Sequence, residues 1–188
     1  MRDLETETLW SHLLGRGMRG ELQGIELEML PASMTTWAEW KEQQPTTTLL
    51  AMSRTADRYD AGAWKSPEKF VYGIPLGAGL PSPAVSLEKL QQAGVVMVEL
   101  KSVNLVVTHE GKGGGVKAFE AIVDGKAVSF SSSGERAMTD SSTNSEWDIV
   151  TGKARSGPMK GRALRELPGT VSFLKAWESF YPDDQVVK

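Results

Sequence analysis

The sequence predicts an α+β, β-rich fold: an antiparallel sheet and hairpins with a few short helices, built on a degenerate internal repeat. Three observations predict it. Residues 3–50 and 140–187 align without a gap when Asp3 is laid on Asp140. Short β-branched runs bounded by turn residues fill much of the chain between those copies. Isolated stretches with helical spacing carry their own start and stop signals.

The repeat is the strongest of these. Thr6 meets Thr143 and Trp10 meets Trp147. Gly15, Gly20 and Gly24 meet Gly152, Gly157 and Gly161. Leu27, Leu30 and Pro31 meet Leu164, Leu167 and Pro168, while Trp40 meets Trp177 and Pro45 meets Pro182. Tryptophan is rare, so two matched pairs are not coincidence. The three glycines mark turns that need positive φ or close backbone approach. The first half of each copy is therefore short strands and tight turns, and the second half is helical. Thr36 and Glu39 form a capping box ahead of Trp37 and Trp40. Phe173, Leu174, Trp177 and Phe180 or Tyr181 fall at helical spacing in copy two. Pro45 and Pro182 end the two helices.

Between the copies, residues 51–69 read as a linker loop. Ser86 to Gln92 reads as a short helix with Ser86 as N-cap and Gly94 just past its end. Val95–Leu100 and Val103–His109 read as strands. Val116–Val123 and Lys126–Phe130 flank Asp124-Gly125, a hairpin signal. The expected organisation is a single domain over 1–188, with copy one (3–50) truncated, the linker at 51–69 and a complete copy two at 70–187. Copy two is preceded by strands that copy one lacks. Copy one must still cover its apolar face, either on the sheet of copy two or on a second molecule. The long linker favours the first, hence a monomer over a homodimer.

Composition excludes several classes. There is no cysteine, so disulfides, thiolate nucleophiles and Cys-based zinc sites are ruled out. With only His12 and His109, no metal and no cofactor is expected. A net charge of −3 gives no bulk attraction for nucleic acid. No apolar region follows the N-terminal Met-Arg-Asp-Leu-Glu-Thr-Glu, and no apolar run is long enough for a transmembrane helix. The expected partner is an unknown small molecule or protein.

The chain resembles the bacterial and archaeal family known as domain of unknown function 3179. Members carry two copies of a unit reading D-x-E-T-G-S-x-W, then G-x-A-x-x-G-P-L-x-G-x-x-L, then a tryptophan-bearing helix. The matches here are Asp3-Leu4-Glu5-Thr6 with Trp10, and Asp140 and Thr143 with Trp147. Gly152-Lys153-Ala154, Gly157-Pro158-Met159-Lys160-Gly161, Trp177 and Phe180-Tyr181-Pro182-Asp183 match further on. Ser53-Arg54-Thr55 and Arg58-Tyr59 resemble its S-R-x-T and R-D-Y segment, and Val71-Tyr72-Gly73-Ile74 resembles the V-x-G-V opening of its second copy. Copy two departs from the pattern at Asn144-Ser145, where the family has Gly-Ser. The resemblance covers nearly the whole chain and implies no specific chemistry.

Candidate chemistry is correspondingly sparse. Asp3 and Asp140 read either as paired acids across a cleft or as caps of an Asp-x-x-Thr turn; presence in both copies favours the turn. With Trp10, Trp147 and the six repeat glycines they are expected to be structural. Trp37, Trp40 and Trp177 sit on helix faces and are expected in the core. Trp64, Arg58 and Tyr59 sit in the linker and are candidate ligand contacts. His109, next to Glu110, is a candidate general base oriented by a carboxylate, or a residue at the surface end of a hairpin. The Gly-rich tip after it lacks phosphate-loop spacing. Lys153, Arg155, Lys160, Arg162 and Arg165 form a basic run that reads either as an anion site or as packing against Glu21, Glu26 and Glu28 of copy one. Two functions remain: a ligand- or partner-binding module on a repeat scaffold, or a small hydrolase using carboxylates, with His109, in a cleft between the copies. Either site would lie near residues 51–69 and 104–115, where the repeat gives no match.

Overall fold

The structure is a computed structural model and describes residues 1–32, 35–49, 66–77, 79–100, 103–111 and 115–188. It is β-rich and mixed, as the patterning predicts. Strands β1 (Leu9–Ser11) and β2 (Arg16–Arg19) form a hairpin followed by helix α1 (Trp37–Gln43). Then come β3 (Phe70–Gly73), β4 (Ala84–Ser86), helix α2 (Leu87–Ala93), β5 (Val95–Leu100), β6 (Val103–His109) and β7 (Val116–Glu120). A small hairpin of β8 (Ile122–Val123) and β9 (Lys126–Ala127) leads to β10 (Phe130–Gly134), β11 (Ala137–Asp140), β12 (Glu146–Asp148) and β13 (Ala154–Ser156). The chain closes with β14 (Glu166–Leu167), β15 (Thr170–Phe173), helix α3 (Leu174–Phe180) and β16 (Val186–Val187).

Among the described residues three four-stranded sheets result, ordered β14-β7-β6-β5, β10-β11-β12-β13 and β15-β3-β4-β16. The first is buried on both faces. Leu105 and Val107 of β6 pack on one side with Val85, Leu87 and Leu90, whereas Val106 and Phe119 pack on the other with Phe130, Met138 and Trp147. That two-sided burial explains the consecutive apolar residues Leu105-Val106-Val107 at the centre of β6. One feature departs from the antiparallel expectation: β16 pairs parallel with β4.

Local signals hold where the chemistry is local. The capping box of Thr36 and Glu39 is present. Ser86 caps α2 and Gly94 leaves it at φ 69°. Asp124 and Gly125 take φ of 49° and 76°, the two positive values a type I′ hairpin requires. The long strand expected over Val116–Val123 is instead interrupted at Ala121, whose N–H donates to Asn104 while its carbonyl accepts from Val128.

The two tryptophans of α1 depart from expectation. Trp37 and Trp40 are 48% and 38% exposed, whereas Trp177 is fully buried against Val71 and Ala84. Copy one meets copy two through Leu13, which packs on the Trp177 cluster and whose carbonyl accepts from the Tyr181 hydroxyl at 2.9 Å. It does not add to a copy-two sheet: among the described residues, β1 and β2 pair with each other and, by single bridges, with Arg2 and Glu26 of the same copy.

Candidate functional site

The repeat is built around one hydrogen-bonded unit. In copy two, Asp140 Oδ1 accepts from the Thr143 N–H at 2.6 Å, and Oδ2 accepts from Ser145 N–H and Trp147 Nε1–H, each at 3.0 Å. The Thr143 hydroxyl bridges to Ser145, whose Oγ accepts from the Met159 N–H. Copy one repeats this with Asp3, Thr6, Thr8, Trp10 and Leu22. The residue before Thr8 or Ser145 sits in the left-handed region in both copies, Glu7 at φ 56° and Asn144 at φ 55°. A glycine in the family's pattern at this place is thus a backbone requirement. Gly20 and Gly157 lie against Thr8 and Ser145 so closely that a Cβ would come within 2.8 and 2.7 Å of their Cα atoms.

These contacts decide what the two aspartates can do. Burial opposes ionisation of Asp140, but the Trp147 indole, the Thr143 N–H and the Ser142 and Thr143 hydroxyls outweigh it and hold its pKa well below the usual carboxylate range. The Trp10 indole, with Thr6, lowers that of Asp3. A glycosidase-type acid needs the opposite shift, so neither carboxylate is set up to donate a proton.

Of the linker candidates, Arg58, Tyr59 and Trp64 lie outside the described residues. His109 closes β6 and is only 8% exposed, so it is not a surface residue at a hairpin end. Its Nδ1 accepts from the Gly111 N–H at 3.1 Å, and burial lowers its pKa, favouring the neutral ring. Glu110 does not orient it. That carboxylate pairs with Arg136 at 2.8 Å instead. Beside Glu110, a cavity of about 40 Å³ lies between Trp40 of α1 and Lys117 and Ile149 of copy two, with room for a water or two.

The basic run divides in a way sequence did not foresee. Arg155 pairs with Asp148, Arg162 with Asp124 and Arg165 with Glu120. All three partners lie outside copy one, so these three arginines do not pair with Glu21, Glu26 or Glu28.

A further concavity lies between the copies. Two adjoining cavities of about 260 and 450 Å³ share Met29, Pro75 and Leu80 in their walls. Leu14 and Leu27 line the first together with Arg16, Tyr181 and Asp184, and Leu167 and Arg165 line the second. Asp184 accepts from the Ser82 N–H at 2.9 Å, which fixes the loop forming one wall. Burial raises the Tyr181 pKa, with Asp184 adding to the effect. Sequence reading missed these residues. The signal available was contrast within the repeat: Met29 stands where copy two has Glu166.

Fold and paired Asp–Thr–Trp units define a two-copy α+β repeat protein. The chain belongs to the family described as protein of unknown function (DUF3179), whose model matches residues 1–68 and again 61–184. No curated protein and no solved structure matches it. Among the described residues no helix is long and apolar enough to cross a membrane, and no group of three His, Asp or Glu side chains is placed to hold a metal.

Proposed function

We propose that the chain is a non-catalytic binding module that takes its ligand in the groove between the two copies. The observation that carries this is the joined pair of cavities around Met29, where apolar walls from both copies meet Arg16, Tyr181 and Asp184. Binding sites commonly combine apolar walls with a few fixed polar groups on this scale. A hydrolase would need a raised carboxyl pKa or a base with an orienting partner. Asp3 and Asp140 have lowered values, and His109 is turned to the backbone of its own loop. Arg58, Tyr59 and Trp64 are proposed as additional contacts from their place in the sequence between the copies, where the repeat gives no match.

A fragment library screened by ligand-observed NMR tests this. Fragments should bind the parent and lose about tenfold or more in affinity to Arg16→Ala or Leu80→Ala. Leu80 is 48% exposed, so its truncation leaves the fold intact. Hits that bind both variants undiminished would place the site elsewhere.

A further inference from the structure

The internal repeat supplies its own control for what covers copy one. In copy two, β14 pairs antiparallel with β7, placing Glu166 opposite Phe119 and Leu167 opposite Ala118. The Phe119 ring lies over Gly152, where a Cβ would approach it to 2.7 Å. The Glu120 N–H donates to the Arg165 carbonyl at 2.9 Å, and Arg165 binds the Glu120 carboxylate. Leu167 is 4% exposed as a result.

Among the described residues, no strand covers the counterparts in copy one. Glu28, Met29 and Leu30 match Arg165, Glu166 and Leu167, yet enter no ladder among the described residues, and Leu30 is 70% exposed. Over Gly15, the match of Gly152, lies the Met29 side chain, with its sulfur 2.9 Å from where a Cβ would be. Met29 thus fills the place that an aromatic ring takes in copy two. A thioether is flexible enough to leave it, and the groove beside it has room.

We infer that residues 27–30 are a receptor edge for an extended strand of a partner polypeptide, paired antiparallel and inserting an aromatic side chain over Gly15 in place of Met29. This rests on the groove reading above and names its ligand class. Charge selects the partner. Arg165 faces an acid in copy two, whereas Glu28 stands at that position here, so the incoming strand is basic at the residue following its aromatic. A second copy of this chain presenting its own β7 would bring Glu120 against Glu28, which disfavours self-association by that strand. Backbone pairing supplies affinity and the aromatic supplies register, as in strand addition generally.

The probe is a capped peptide, Val-Lys-Ala-Phe-Lys-Ala-Ile, the sequence of residues 116–122 with Glu120→Lys. Titrated into the isotope-labelled full chain, it should shift amides of residues 15–30 and leave residues 116–119 of β7 unmoved. Replacing its Phe by Ala should weaken binding about tenfold or more. The unaltered Glu120 sequence should bind about three- to fivefold more weakly, with that preference reversed on the Glu28→Lys chain. Met29→Ala should bind the basic peptide more tightly. Equal binding of all peptides, shifts at residues 116–119 from displacement of β7, or a concentration-dependent dimer that shuts the peptide out would each overturn the inference. If fragments bind at Arg16 and Leu80 while every peptide is silent, the strand inference fails and the groove reading stands.

Discussion

Trp147 donates its indole N–H to Asp140 at 3.0 Å, and both side chains are essentially withdrawn from solvent, at 0% and 1% exposure. Trp10 and Asp3 make the same bond at 2.7 Å but remain half-buried. Trp147→Ala should therefore cost about 3–5 kcal/mol, and Trp10→Ala clearly less. Chemical denaturation of both variants checks this, and equal losses would show that the copies bury their tryptophans alike.

Acid should destabilise the protein in two steps. His109 has a lowered native pKa, so the unfolded chain binds the extra proton, and stability falls as pH drops below 6.5 towards the native value. Asp140 also has a lowered native pKa. Its contribution is complete above 3.8 and disappears as pH falls through the native value. Melting temperature followed against pH should show a shallower limb below pH 6.5 in His109→Gln and a shallower limb below pH 3.8 in Asp140→Asn.

Backbone conformation at the unit's turn is testable separately. Glu7 and Asn144 both hold positive φ. Asn144→Val should cost about 1–2 kcal/mol, because a β-branched side chain resists the left-handed region. Glu7→Gly should be neutral to stabilising by up to about 1 kcal/mol, since the exposed Arg2–Glu7 pair it removes contributes little. A less stable Glu7→Gly chain would contradict this.

Alanine at His109 is not a clean probe of function. The ring is buried and accepts a backbone hydrogen bond, so His109→Ala should lose about 1–3 kcal/mol. Alanine changes at Arg58 and Trp64 remain the functional probes of the linker. Unchanged melting of His109→Ala would restore the surface reading.

Much of the fold was legible in sequence. Strands at Val95–Leu100 and Val103–His109 keep the expected bounds, and Ser86, Gly94, Thr36 and Asp124-Gly125 act as read. Such features depend on φ, on capping groups and on side-chain alternation within a few residues. The candidate site was less legible. His109 and Glu110 are adjacent in sequence, but alternation sends them apart, and Glu110 goes to Arg136. The groove is made from segments far apart in the chain, and no short-range signal marks it.

By itself, the sequence determined the repeat: the hydrogen bonds of its Asp–Thr–Trp unit are made by partners within the same copy. It could not determine which copy buries them, because burial is set by neighbours distant along the chain. Leu167 is covered because β7 lies beside it, while its match Leu30 lies open. Phe119 covers Gly152, and Met29 covers Gly15. The parallel pairing of β16 with β4 was likewise decided by tertiary structure, since two valines carry no record of the strand they will join.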